Sequence, residues 1–195
     1  MKMDRREAIK RTAWIMGGVV SAPAVAAILK GCKAEPNINW KPAFLTKEQA
    51  LIVTEVAEII IPKTDTPGAK DVGVPAFIDL VVKDCYSKED QDRFLAGLQE
   101  FDAAAKQNYG EVFMDLEAEK QQEHVKKIHD AAIEVEKTTQ PAPKRPFILL
   151  MKELTMLGFF TSKVGATEVL QYDPVPGAYK SCIPLKEAGK GRTWA

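Results

Sequence analysis

FILLMKELTMLGFF, residues 147–160, is the most apolar helical pattern in the chain, and Pro146 stands immediately before it. Apolar side chains occur nearly all the way round this predicted helix, which is typical of a central core helix or of one that faces a partner. Lys152, Glu153 and Thr155 interrupt the pattern, so the segment makes a poor membrane span. The rest of the fold is therefore expected either to surround this helix or to leave it for a partner.

Two predicted helices near the start of the folded region carry clear end signals. Thr46 and Gln49 have the spacing of a capping box, and apolar residues at helical spacing follow, which predicts a helix over about residues 47–61. Pro62 ends it, because proline cannot continue the helical hydrogen-bond pattern. Pro75 suits the first turn of the next helix.

Two more predicted helices lead to the 147–160 segment. Ser87 begins the first, which reaches about residue 108 with one apolar face: Phe94, Leu98, Phe101 and Ala105. The second is strongly charged, covers about residues 117–136 and has a thin core face: Val125, Ile128, Ala132 and Val135. No repeats and no paired strand patterns are visible. We predict an all-α protein, an irregular small helical domain over residues 46–160.

Less regular segments flank this domain. Residues 32–45 contain prolines and asparagines that discourage regular structure, and they are interpreted as a tether. Residues 161–195 are broken by glycines and prolines and are predicted to be a long non-regular C-terminal arm. An arm of this length often lies over a partner, so its scattered aromatic residues are candidate docking residues: Tyr172, Tyr179 and Trp194.

The N-terminal residues 1–31 have the pattern of an export signal. Arg5 and Arg6 are adjacent, and an uncharged run over residues 12–29 follows them, as in signals of the twin-arginine route. Cys32 follows Gly31 in a sequence that resembles a bacterial lipobox, which predicts lipidation at Cys32. A plain cleaved signal and an uncleaved membrane anchor remain alternatives.

Charge and cysteine content narrow the function classes. Without residues 1–31 the chain has 21 basic against 25 acidic residues, a net charge of −4, which argues against a nucleic-acid-binding protein. If Cys32 is lipidated, Cys85 and Cys182 remain as candidates for a disulfide in an oxidising compartment. Two separate buried thiols are the alternative.

Motifs that would carry catalysis are missing. The sequence has no glycine-rich nucleotide loop, no nucleophile elbow, no haem attachment motif and no cysteine cluster. His124 and His129 lie five residues apart on the charged helix, so they do not share a face, and we expect both to be solvated. The chain is predicted not to be a catalyst and to bind no metal and no cofactor.

One segment resembles a known family. IIIPKTDTPGA, residues 59–69, followed by DVGVPAFID, residues 71–79, is similar to the gluconate 2-dehydrogenase subunit 3 family. YDPVPG, residues 172–177, and Tyr179 resemble the closing segment of some members. The resemblance implies a non-catalytic small subunit of a membrane-associated sugar or polyol dehydrogenase, of which the glucoside 3-dehydrogenases are one case.

The same resemblance implies the partners and the compartment. The large subunit would be a flavoprotein of the glucose-methanol-choline type, which holds FAD and passes electrons to a cytochrome c or similar acceptor, where any haem c would reside. This chain would carry the export signal for both subunits and hold them, as a lipoprotein, on the periplasmic side of the cell envelope. A stand-alone lipid-anchored envelope adaptor is the alternative function.

Residues 62–69 allow two interpretations that do not exclude each other. One is a rigid helix connector in which Asp65 accepts hydrogen bonds from nearby backbone N–H groups. The other is a surface loop that docks on the large subunit. Its candidate docking residues are Thr64, Asp65, Thr66, Pro67 and Gly68.

Overall fold

The computed structural model describes residues 38–139, 144–175, 177–178, 181–189 and 191–193, which belong to one compact unit beginning at Ile38. The all-α prediction is confirmed, since no strand forms within these ranges. Arg5, Arg6, Cys32, Tyr179 and Trp194 lie outside the described residues. The five long helices are α1 (Lys47–Ile60), α2 (Val74–Cys85), α3 (Lys88–Tyr109), α4 (Ala118–Thr138) and α5 (Phe147–Phe160).

Helix α5 is the centre of the fold. It packs against each of the other four long helices, and most of its side chains are buried: Phe147, Ile148, Leu149, Met151, Leu154, Thr155 and Phe159. An all-round apolar helix is stable only when it is surrounded in this way. The helix is not covered completely, however, because Met156 is 43% exposed and Leu157 is 51% exposed. The central-helix interpretation is therefore correct, with one uncovered strip.

The helix ends follow the local signals in the sequence. Thr46 Oγ1 accepts the Gln49 N–H at 3.3 Å, and Gln49 Oε1 accepts the Thr46 N–H at 3.0 Å, which completes the capping box. Ser87 caps α3 by accepting the Asp90 N–H at 3.2 Å. Gly110 ends α3 with φ of +83°, a left-handed conformation that glycine adopts without strain.

The predicted core faces of α3 and α4 are largely confirmed. All four apolar residues expected on α3 are buried, and Phe94 and Phe101 meet Phe147 at ring-centroid distances of 5.2 and 5.7 Å. Such tilted and edge-on aromatic contacts add to the energy of burial. On α4, Val135 is 48% exposed and does not belong to the core.

The segment before α1 differs from the prediction of a tether. Within the described residues 38–45, Leu45 is buried, and Ile38, Trp40 and Phe44 pack against the core. The buried carboxylate of Asp79 on α2 accepts three consecutive backbone N–H groups, from Ala43 at 2.6 Å, Phe44 at 3.2 Å and Leu45 at 2.8 Å. Because Asp79 lies 34 to 36 residues further along the chain, the local sequence does not show that residues 43–45 are anchored in this way.

The C-terminal arm is less irregular than predicted. Residues Gly165–Val169 form a π-helical turn against α5, and Leu185–Gly189 form the short helix α6. The arm also folds back on itself, because the Gln171 N–H donates to the Thr193 carbonyl at 2.7 Å and Arg192 donates to the Glu168 carbonyl at 2.7 Å. Four of its apolar side chains nevertheless remain exposed: Tyr172, Val175, Ile183 and Leu185.

Candidate functional site

The turn between α1 and α2 is held from both of its ends. The Ala69 N–H donates to the Ile61 carbonyl at 2.9 Å, which closes the loop at its base. Glu58, in the last turn of α1, accepts the Lys63 N–H at 3.1 Å and the Lys70 N–H at 2.9 Å. A single carboxylate therefore ties both sides of the turn to the helix that precedes it.

A second carboxylate, that of Asp71, completes the turn. It accepts the Gly68 N–H at 3.3 Å and pairs with Lys63 at 3.1 Å. These partners, the Lys63 side chain first and the Gly68 N–H next, lower the pKa of Asp71 below its ordinary value. The prediction that Asp65 would satisfy the backbone of the turn is wrong, because Glu58 and Asp71 are better placed.

Gly68 is required by this arrangement for reasons of space. A Cβ atom at Gly68 would lie 2.7 Å from the Lys63 backbone nitrogen and would collide with the Glu58 carboxylate. Only a residue without a side chain allows the carboxylate to reach across the turn. The sequence motif Pro67-Gly68 is thus a packing requirement as well as a turn signal.

The candidate docking residues of the turn divide into two groups. Thr64 and Asp65 are exposed at the tip, whereas Thr66 and Pro67 are half-buried and Gly68 is buried. The tip can meet another protein, and the other residues build the connector beneath it. Tyr172, in the arm, is 56% exposed.

The two remaining cysteines lie on the surface. Cys85, at the end of α2, and Cys182, in the arm, are both exposed free thiols. The bridge that the sequence left open is therefore not formed in this structure. Neither thiol is buried, so the alternative of two buried thiols is wrong for both.

The apolar strip, defined as the exposed apolar side chains of α2 and α5, was not identified from the sequence. It comprises Leu80, which is 49% exposed, together with Met156 and Leu157. Phe77 of α2 lies over Gly158 of α5, where a Cβ atom would come within 2.6 Å of the Phe77 ring. Helices α2 and α5 therefore pack closely against each other at this point. Exposed apolar surface of this kind commonly marks a protein–protein contact.

His124 is buried, contrary to the expectation that it is solvated. Its Nε2 lies 3.0 Å from the Phe101 carbonyl, and its ring packs among aromatic side chains: Phe101, Tyr109 and Phe113. Its Nδ1 is buried without a hydrogen-bond partner in the described part of the chain. Burial lowers the pKa of His124, since the charged imidazolium would lose its hydration there. A neutral histidine enclosed in this way has a structural role.

Two surface grooves of the helical domain are lined by described residues. The larger one, of about 420 Å³, lies between α3, α4 and the start of α5, and its cationic rim residues are all ion-paired. Arg93 pairs with Asp90 at 2.7 Å, Lys144 pairs with Glu89, and Arg145 pairs with Glu136 at 3.5 Å and with Glu153.

The smaller groove, of about 270 Å³, lies between the end of α1, α4 and α5. Its floor is apolar and is formed by Ile59, Ile60, Val125 and Ile148. Polar side chains rim it: Gln122, Lys126, His129 and Lys152. Among the described residues, no carboxylate lines this groove.

Within the described ranges, no group of three or more histidine, cysteine or carboxylate residues is placed to hold a metal ion. No helix among the same residues is long and apolar enough to cross a membrane. What the described surface offers is a fixed turn, an apolar strip and two grooves. These features are suited to contact with another molecule.

The chain matches a known sequence family. No curated protein and no solved structure matches the chain significantly. The sequence model of the family described as gluconate 2-dehydrogenase subunit 3 matches residues 47–177, which include the turn, the apolar strip and all five long helices. The chain therefore belongs to the gluconate 2-dehydrogenase subunit 3 family and is an accessory subunit of a dehydrogenase complex.

Proposed function

We propose that this chain is the non-catalytic small subunit of a periplasm-facing, FAD-dependent sugar or polyol dehydrogenase complex. The observation that carries the proposal is the family match over residues 47–177. The large partner is a glucose-methanol-choline type flavoprotein that holds FAD and oxidises the substrate. Electrons leave the flavin for a cytochrome c or a similar acceptor.

The partner contacts the face on which α2 and α5 lie side by side. Leu80, Met156 and Leu157 supply exposed apolar area there, and burying such area is the main favourable term in protein association. The exposed tip residues Thr64 and Asp65 add polar contacts, and Tyr172 supplies an amphipathic ring of the kind enriched in interfaces.

The N-terminal residues give this subunit its second task, which is to escort the flavoprotein. Arg5 and Arg6 direct the chain to the twin-arginine route, which carries folded cargo, and FAD must be loaded before export. Lipidation at Cys32 then holds the complex at the membrane on the periplasmic side. An apolar chain covalently attached at Cys32 would supply the anchor.

Co-purification and fractionation test the proposal. The wild-type chain should purify with a yellow flavoprotein, and sugar-dependent dye reduction should be recovered from the periplasmic side of the envelope. Replacing Arg5 and Arg6 with lysine should retain both subunits in the cytoplasm, and Cys32→Ala should release them from the membrane fraction. If no flavoprotein accompanies the chain and its deletion leaves dehydrogenase export unchanged, the chain is instead a stand-alone envelope adaptor.

A further inference from the structure

The smaller groove has an unusual electrostatic character. Among the described residues, Lys126 forms no hydrogen bond or ion pair, and the Lys152 ammonium contacts only His129. The rim of the larger groove is different, because each of its three cations is already neutralised by a carboxylate. The ammonium groups of Lys126 and Lys152 therefore lie beside an apolar floor without a carboxylate partner among the described residues. This local positive charge contrasts with the net charge of −4 over residues 32–195.

The position of Lys152 is fixed by a short hydrogen-bonded series. A lysine ammonium can only donate, and its nitrogen lies 3.2 Å from Nε2 of His129. The other ring nitrogen, Nδ1, lies 3.2 Å from Asp130 Oδ1. This series holds the Lys152 ammonium at the groove rim.

We propose that this groove binds an acidic, apolar segment of the flavoprotein partner, with a carboxylate between Lys126 and Lys152 and apolar side chains on the isoleucine floor. The inference rests on the proposed function and adds the chemistry of one contact. Charge complementarity favours an anionic occupant, and the apolar floor favours one that also carries apolar groups.

The size and position of the groove support a polypeptide segment. Its volume of about 270 Å³ lies below the range of ordinary cofactor pockets, so it fits one or two side chains better than a whole cofactor. Ile59 and Ile60 form one wall and lead directly into the turn whose tip carries Thr64 and Asp65. The groove therefore begins at the base of the turn whose tip is proposed to contact the partner.

Charge reversal in the intact complex tests the inference. The flavoprotein that purifies with the wild-type chain is titrated with wild-type chain and with the double variant Lys126→Glu, Lys152→Glu. We expect the dissociation constant to rise about 30-fold or more, as is typical when a desolvated charge pair is lost. Lys120→Glu is the matched control, because Lys120 is also an exposed lysine of α4 but does not line the groove. Circular dichroism and the unfolding midpoint show whether each variant keeps its fold.

A photo-crosslinking residue at Gln122, an exposed residue of the groove rim, identifies the occupant directly. A captured flavoprotein peptide with an aspartate or glutamate beside apolar residues supports the inference, and changing that acid to lysine should restore binding to the double variant. Equal affinity of wild type and double variant, or a captured peptide without an acid, overturns it.

Other occupants would also be recognised. Crosslinks from Gln122 to a second copy of this chain would overturn the inference, and so would charge-dependent flotation with phosphatidylglycerol vesicles while wild type and double variant bind the flavoprotein equally well. A wild-type chain that binds no flavoprotein at all would instead overturn the proposed function, so the two failures are distinguishable.

Discussion

Replacing Asp79 with alanine should detach the segment that precedes α1 and destabilise the whole protein. Oδ1 of Asp79 accepts from Phe44 and Leu45, and Oδ2 accepts from Ala43. The Leu45 N–H is buried, so it would lose its partner without gaining water, at a cost of about 1–3 kcal/mol. The other two N–H groups are partly buried and should add less, and looser packing of Leu45 adds to the loss. We expect a decrease of about 3 kcal/mol in the free energy of unfolding.

Urea unfolding followed by circular dichroism measures this change, and hydrogen exchange at the amides of residues 43–45 locates it. Asp79→Asn should fall between wild type and Asp79→Ala, since its amide oxygen can still accept while its NH₂ group faces a backbone donor. Asp84→Ala on the exposed side of the same helix is the control and should change stability by less than about 0.5 kcal/mol. Unchanged protection of amides 43–45 in Asp79→Ala, or a loss no larger than that of the control, would refute the reasoning.

Three further perturbations test other parts of the structure. Through His124, the free energy of unfolding should fall by at most about 1.4 kcal/mol between pH 7.5 and 5.5, because burial lowers the pKa of His124 and the unfolded chain then binds the extra proton. Urea unfolding of His124→Gln should lack this pH-dependent component. An identical pH dependence in wild type and His124→Gln would contradict the prediction. Gly68→Ala should cost about 1–3 kcal/mol by forcing the Glu58 carboxylate away from the turn, and an unchanged unfolding midpoint would argue against the packing requirement. Leu157→Glu should change the unfolding midpoint little, since the side chain is 51% exposed. The same variant should bind the flavoprotein more weakly in a titration. Full retention of affinity would remove the apolar strip from the proposed interface.

Local features of the fold could be predicted from the sequence alone. The capping box at Thr46, the serine cap at Ser87 and the periodic face of α3 depend on residues within one or two helical turns of each other. The central place of α5 was also predictable as one of two alternatives, because a helix that is apolar on nearly every side needs to be surrounded. The family resemblance of residues 59–79 depends on sequence alone as well, and the family match confirms it.

The expectation that His124 is solvated was wrong for a general reason. His124 lies on the same face of α4 as Gln121, Val125 and Ala132, and all four are buried, but its polar identity suggested solvation. Gln121 is accommodated because its side chain donates to the Phe113 carbonyl at 3.0 Å. A helical pattern shows which residues share a face, while the partner that makes a buried polar group tolerable lies elsewhere in the chain.

Sequence by itself therefore determined the five long helices, the caps at Thr46 and Ser87, and the family. Tertiary structure decided what the polar side chains do: Asp79 anchors a segment 34 to 36 residues away, and Glu58 reaches across the turn to Lys70. It also decided which cations have no carboxylate partner among the described residues, as at Lys126 and Lys152. The physical reason is that caps and periodic faces arise from neighbours along the chain, whereas hydrogen-bond satisfaction, burial and charge pairing depend on distances that only the packed helices define.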